Sequence, residues 1–121
     1  MTARFPRARR LTRADEFGRV FRHGRRVRDS LFTMVTAPNG ADYARLGLAI
    51  SRKAARRAVD RNRLKRLVRE SFRQQAHLGG QDIVVMAQPA ARLETNGTLT
   101  AHLNALWHIL SNDATIADSD H

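Results

Sequence analysis

Arg61, Asn62, Arg63, Lys65, Arg66 and Arg69 follow one another so closely that whatever they bind should carry negative charge. Arg52, Lys53, Arg56 and Arg57 precede them and Arg73 closes the run, ten bases against only Asp60 and Glu70. Charge runs are usually solvated helix faces. A helix built for solubility, however, interleaves Glu with Lys at i, i+4 to gain pair energy. Here acids nearly vanish and the bases are mostly Arg, whose planar guanidinium takes phosphate oxygens in pairs and stacks on bases. Leaving these charges unpaired costs folding energy unless a polyanion compensates them. The chemistry indicated is therefore phosphate recognition, with nucleic acid as the favoured partner.

An element that holds these groups outward must anchor itself elsewhere. At 100° per residue, Leu64, Leu67, Val68, Ser71 and Phe72 fall on one side of a helix, the spacing of a core-packed face. Asn62, Lys65, Arg66, Arg69 and Arg73 collect on the opposite side, with Arg61 and Arg63 on the two flanks. The pattern predicts a helix through the stretch 51–72, reaching about His77 and closed by Gly79-Gly80.

Other chemistry is hard to assemble. His23, His77, His102, His108 and His121 are scattered and none has metal-ligand spacing such as HExxH. Asp15-Glu16 serve a helix start, the remaining acids stand singly, and no Gly-rich phosphate loop is present. No catalytic residue and no metal site is predicted in the protein itself; chemistry, if any, comes from something it binds. With no Cys there is no disulfide framework, Cys-based zinc site or thiol nucleophile, which suits a reducing interior.

At 121 residues the chain suits a single domain with one modest core. No apolar run approaches membrane-helix length, and the basic N-terminus lacks a following hydrophobic region, so a cytoplasmic location is expected. The net charge of +11 is unevenly distributed: residues 1–73 carry +15 and residues 74–121 carry −4. A membrane-surface role would need a further face of exposed Trp, Phe and Leu for insertion, and none is apparent.

The remaining elements are read in chain order. Residues 1–10 form a flexible basic arm. Thr12 and Asp15 resemble a capping box ahead of a helix over 13–23, with Phe17, Val20 and Phe21 as a narrow apolar stripe and Gly24 ending it in the left-handed conformation. Phe17 and Phe21 read as core anchors, or as a stacking platform for unpaired bases. Strands over 31–37 and 45–51 are expected to pair as a hairpin through Asn39-Gly40. In the second, Leu46, Leu48 and Ile50 face a core, while Gly47, Ala49 and Ser51 make the other side flat enough for close approach of a helix or ligand. Residues 82–87, DIVVMA, read as a strand covered on both faces and parallel to the preceding one. A last helix over 99–110 carries Leu99, Leu103, Leu106 and Leu110, with Trp107 and Ile109 widening the stripe, and 111–121 form a flexible acidic tail. The fold class is α+β, in the order α-β-β-α-β-α, with residues 1–110 as one nucleic-acid-binding domain.

The run Arg61-Asn62-Arg63-Leu64-Lys65-Arg66, continuing to Arg69-Glu70-Ser71-Phe72, resembles the Arg-Asn-Arg motif and following Lys-Arg of the protein subunit of bacterial ribonuclease P. RLTRADEFGRVFRHGRR resembles that family's first helix, RLGLAISRKAARRAV its second strand and the approach to the basic helix, and DIVVMA its third strand. Together these blocks cover roughly residues 10–110. The resemblance implies a small two-layer α+β sandwich, with residues 1–110 as a single RNA-binding domain, and a β-α-β crossover that is left-handed, against the usual rule. It also implies a ribonucleoprotein endonuclease that removes the 5′ leader from precursor tRNA. Its RNA subunit, with Mg²⁺, is the catalyst, while the protein is an accessory that binds this RNA and the single-stranded leader and broadens substrate use. No obligate protein partner is implied.

Carried over by position, Arg61, Asn62, Arg63, Lys65 and Arg66 fall on the RNA-contacting motif, with Lys53, Arg56, Arg57, Arg69 and Arg73 as neighbours. Arg13, Phe17, Phe21 and Val35 fall at the leader cleft between first helix and sheet. Val35 departs from members with an aromatic on the first strand, and Gln88 from those with a base after the third. The same charge and size also suit a ribosomal or ribosome-assembly protein, which would co-sediment with a ribosomal subunit. They suit a DNA-binding module too, which would prefer duplex DNA over structured RNA.

Overall fold

The computed structural model describes the backbone of residues 9–119 and the side chains of residues 9–111. The elements run α1 (Ala14–His23), β1 (Arg25–Arg28), β2 (Phe32–Pro38), β3 (Arg45–Leu48), α2 (Ala58–Arg73), β4 (Gln81–Ala87), a 3-10 turn (Pro89–Leu93) and α3 (Asn96–Ser119). They form one four-stranded sheet in the order β1-β2-β4-β3. The two β2 pairings are antiparallel, and β3 lies parallel to β4 as expected.

The expected hairpin between the strands at 31–37 and 45–51 does not form, because β4 lies between them. Its run from Asp82 to Val85 is buried throughout, so it takes a central position with both faces covered. Asn39 and Gly40, at φ +74°, turn instead within a loop across the end of β4. There the Asn39 side chain accepts from Ala41 N at 2.8 Å and its backbone N donates to Gly80 O at 3.0 Å. The true hairpin partner of β2 is β1, which sequence periodicity missed: in RRVR only Val27 turns to the core, so there is no apolar alternation to read.

One sheet face carries the main core. Phe32, Met34, Leu46, Ile83 and Val85 pack against Leu64, Val68 and Phe72 of α2 and against Leu99, Leu103, Leu106, Trp107 and Leu110 of α3. Trp107 is fully buried, with its ring 5.7 Å from that of Phe72, and its indole N–H donates to Ser71 Oγ at 2.8 Å. That bond explains a serine on the apolar side of α2: a buried indole donor needs an acceptor. Ile109 is turned outward instead of widening the apolar stripe. Asp29, in the β1–β2 turn, accepts from Leu31 N at 2.8 Å and Phe32 N at 2.9 Å, and pairs with His102 of α3 at 2.9 Å. Burial opposes its charge, but the Phe32 and Leu31 N–H groups and His102 hold its carboxyl below the ordinary value.

α3 is longer than expected at both ends. Thr95 starts it, its hydroxyl accepting from Thr98 N at 3.2 Å, and the helix continues to Ser119 through a segment free of Gly and Pro that was expected to lack fixed structure. Residues 120 and 121 lie outside the described residues, as does most of the expected N-terminal arm. The last two residues of that arm are fixed: Arg9 Nε donates to Ala44 O at 3.2 Å with its guanidinium 5.6 Å from the Phe72 ring centroid, and Arg10 bridges Leu46. Together with Leu11, whose N donates to Leu46 O at 2.8 Å, they cover the outer edge of β3.

The other sheet face carries α1 over a small second cluster of Leu11, Val20, Val35, Ala37 and Val84. Two expectations about α1 are corrected. Glu16, not Asp15, closes its start by accepting from Arg13 N at 3.1 Å and Thr12 N at 3.3 Å. Gly24 is extended, at φ −86°, and its value is closeness: a Cβ there would lie 2.6 Å from Val35 Cγ1. Gly47 serves the same end on β3, where a Cβ would meet the Phe17 ring at 2.8 Å.

Candidate nucleic-acid interface

The helix holding the basic run begins later than the charge pattern suggests. α2 starts at Ala58, so Arg52, Lys53, Arg56 and Arg57 stand on the turn before it and not on its face. Ser51 starts this turn, with its carbonyl accepting from Ala54 and Ala55 N, both at 3.1 Å, and its hydroxyl accepting from Ala54 N at 3.2 Å. Arg61 clamps the turn from the helix by donating Nη1 to Ala55 O at 2.9 Å and Arg56 O at 2.8 Å. Arg52, Lys53, Arg56 and Arg61 thereby line one open hollow of about 710 Å³. Four cations gathered around one concavity make a local positive patch that no single helix face would produce.

Along α2, Asn62, Arg66, Arg69 and Arg73 are exposed and Lys65 is half-buried, while Leu64, Val68, Ser71 and Phe72 anchor the helix. Arg63 departs from its expected place in the contact set, because its guanidinium turns to the chain instead of outward. Nε donates to Asn96 Oδ1 at 2.9 Å, Nη2 to Glu94 O at 2.5 Å and Nη1 to Arg92 O at 3.5 Å. The two flanking arginines of the Arg-Asn-Arg triplet thus secure the two segments on either side of the helix, and Asn62 between them faces solvent.

The second candidate region is the part of the α1-bearing sheet face that α1 leaves uncovered. Register places Arg26 opposite Val35 and Arg28 opposite Thr33, so both arginines share this face. With Thr33, Ala49, Ser51, Met86, Ala87 and Gln88 they line a trough of about 560 Å³. Gln88, which departs from the base of the resembled family, forms part of this wall and donates to Thr33 Oγ1 at 3.1 Å. Phe17, half-buried over Gly47, packs against the same small cluster as Ala49 and Met86 of the trough wall. Phe21 is 38% exposed and Arg13 exposed. Val35, expected at the cleft, is fully buried beneath Val20 and Gly24 and does not line the trough, because a small aliphatic lets α1 close onto the sheet. Arg26 and Arg28 were missed, and the only signal for them was charge at i and i+2 around Val27. Ser51 lies both in the trough and at the head of the basic turn, so the two regions meet there.

α1 is fixed by charge as well as by packing. Asp82 is fully buried on β4 and takes both Nε and Nη2 of Arg45, each at 2.7 Å, together with Asn39 Nδ2 at 2.9 Å and the guanidinium of Arg19 on α1. Arg45 also reaches Glu16 at 3.1 Å and Arg19 reaches Pro38 O at 3.0 Å. Burial alone would raise the Asp82 pKa, but the Arg45 and Asn39 hydrogen bonds and the charges of Arg45 and Arg19 outweigh it and hold the carboxyl below the ordinary range.

The donors among the described residues do not suit a resident Mg²⁺. Among the described residues no three acidic or histidine side chains converge, and the Asp82 oxygens face arginines. Among the same residues no helix is long and apolar enough to cross a membrane.

A two-layer α+β domain with a basic turn and helix beside an uncovered sheet trough is built for a polyanion. Comparison with known proteins makes the class specific. The family model of ribonuclease P matches residues 5–111. The ribonuclease P protein component of Thioalkalivibrio sulfidiphilus is 51% identical over 108 residues, covering 88% of this chain and 90% of the relative. The RNase P protein of Staphylococcus aureus superposes with a TM-score of 0.80 at 31% identity, covering 85% of this chain and 95% of that one. The RNase P protein of Thermotoga maritima does so at 0.73 and 33% identity, covering 81% and 94%. The chain belongs to the ribonuclease P protein family, the protein components of a tRNA 5′-processing endoribonuclease.

Proposed function

We propose that this chain is the accessory, non-catalytic subunit of such an endonuclease. It binds the catalytic RNA through the basic turn and outer face of α2, and the single-stranded 5′ leader of precursor tRNA through the trough beside α1. The observation that carries the reading is the meeting of the two surfaces at Ser51, which lets one polyanion run from trough to helix. The trough supplies what an unpaired strand needs: the Phe17 ring for stacking, arginines for phosphates and small residues for close approach. In this reading Mg²⁺ is held by the RNA and the substrate, the protein works in the cytoplasm, and no obligate protein partner is required.

Reconstitution tests it. The protein alone should cleave nothing; added to the matching RNA subunit, it should raise processing of a precursor with a long leader more than of one with none. Cleavage by protein alone, or equal stimulation of both substrates, would sink the reading. Arg66→Ala and Arg69→Ala should each weaken RNA binding and lower its salt slope by roughly one unit or less.

A further inference from the structure

Residues 74–121 contain a single base, Arg92. The fold places it beside the basic helix: Arg63 of α2 reaches across to the carbonyls of Arg92 and Glu94 and to the Asn96 side chain. We infer that the 3-10 turn Pro89–Leu93 is a second wall of the RNA-docking surface, with Arg92 meeting a phosphate and Leu93 the face of an unpaired base. Arg63 is then a positioning residue that holds this wall against α2, not a phosphate ligand. The inference rests on the proposed RNA-binding role of α2.

The argument begins with what Arg63 does not do. Its Nε and both terminal nitrogens already donate to the chain, in the fork geometry that makes guanidinium a good backbone clamp. A flexible point charge would serve for phosphate alone, whereas three bonds to residues 92, 94 and 96 fix the path of the turn and the start of α3. The turn so held is exposed and apolar at its tip, with Leu93 71% exposed, and Val59 on α2, one turn before Arg63, is 61% exposed. Single exposed aliphatics are ordinary. These two bracket a junction within a basic surface, with Arg56, Asn62 and Arg66 on the helix side and Arg92 on the other. A partner offering both negative charge and flat apolar faces fits that combination, and looped RNA is such a partner.

The test uses the full chain and a transcript of the matching RNA subunit, with affinity measured across a salt series. Arg92→Ala should weaken binding several-fold and lower the salt slope by roughly one unit. Leu93→Ser should weaken binding with the slope unchanged. Both side chains are exposed, so neither change threatens the fold. Arg63→Ala should add little in the Arg92→Ala background, since it acts through the turn. Parental binding by Arg92→Ala and Leu93→Ser, while Arg66→Ala weakens, overturns the second wall and leaves the α2 reading standing; if Arg66→Ala and Arg69→Ala are also silent, that reading itself fails. Full additivity of the Arg63 and Arg92 changes overturns the positioning role.

Discussion

The two faces of the sheet are held by different forces. On one, α2 and α3 bury Trp107, Phe72 and a row of leucines, and closure is apolar. On the other, α1 rests on a few small side chains and is secured by Arg19, Arg45 and Glu16 around Asp82. Apolar burial is non-directional and needs continuous coverage, whereas a buried ion cluster fixes one helix at one place without covering the rest. That difference leaves part of the second face open as a trough while the first stays sealed.

The largest effect expected is on the sealed face. Trp107→Ala should destabilise the fold by about 3–5 kcal/mol, measured by urea unfolding, because it leaves a cavity and orphans Ser71. If the loss were under about 1 kcal/mol, the first face would not be the main store of stability.

On the second face, Asp82→Asn should cost about 3 kcal/mol by leaving Arg45 and Arg19 without their shared carboxylate. The same cluster sets an acid limit. Because the folded pKa of Asp82 lies below its ordinary 3.8, its contribution is complete above that value and is lost as pH falls through the folded pKa. Acid titration of stability should therefore show a loss below pH 3.8 that is smaller in Asp82→Asn, where the share due to Asp29 remains.

Phe17→Ala should weaken binding of precursor tRNA by about 1–3 kcal/mol while sparing mature tRNA, since only the precursor has a leader to stack. Equal loss for both would assign the ring to support of α1 alone. The smallest effect has the opposite sign. Gly97, in the first turn of α3, has nothing within 4 Å of an added Cβ, so Gly97→Ala should raise stability by about 0.5–1 kcal/mol.

Periodicity carries far for elements that bury a continuous stripe. The anchors of α2, the stripe of α3 and the two-sided burial of β4 were all legible, as was the α+β class. It fails where tertiary pairing overrides a local signal. Asn39-Gly40 looks like a hairpin turn, yet the apolar β4 takes the place beside both β2 and β3, and sequence separation hides that competition. β1 was invisible because two arginines flank its only inward residue, and with it went Arg26 and Arg28 of the trough. Among the site residues, type and location were legible but direction was not. Arg61, Arg63 and Arg66 look alike in sequence, and only the acceptors around them distinguish two clamps from one exposed side chain.

The central position of β4 bears on the order of assembly. Among the described strands β3 pairs with β4 alone, and β2 reaches β3 through it. During synthesis, residues 1–73, carrying +15, emerge before Gln81–Ala87. Until those seven residues follow, the chain can form α1, the β1–β2 hairpin and parts of α2, but it cannot complete the sheet. For that interval the most basic part of the molecule lacks the sheet that organises it.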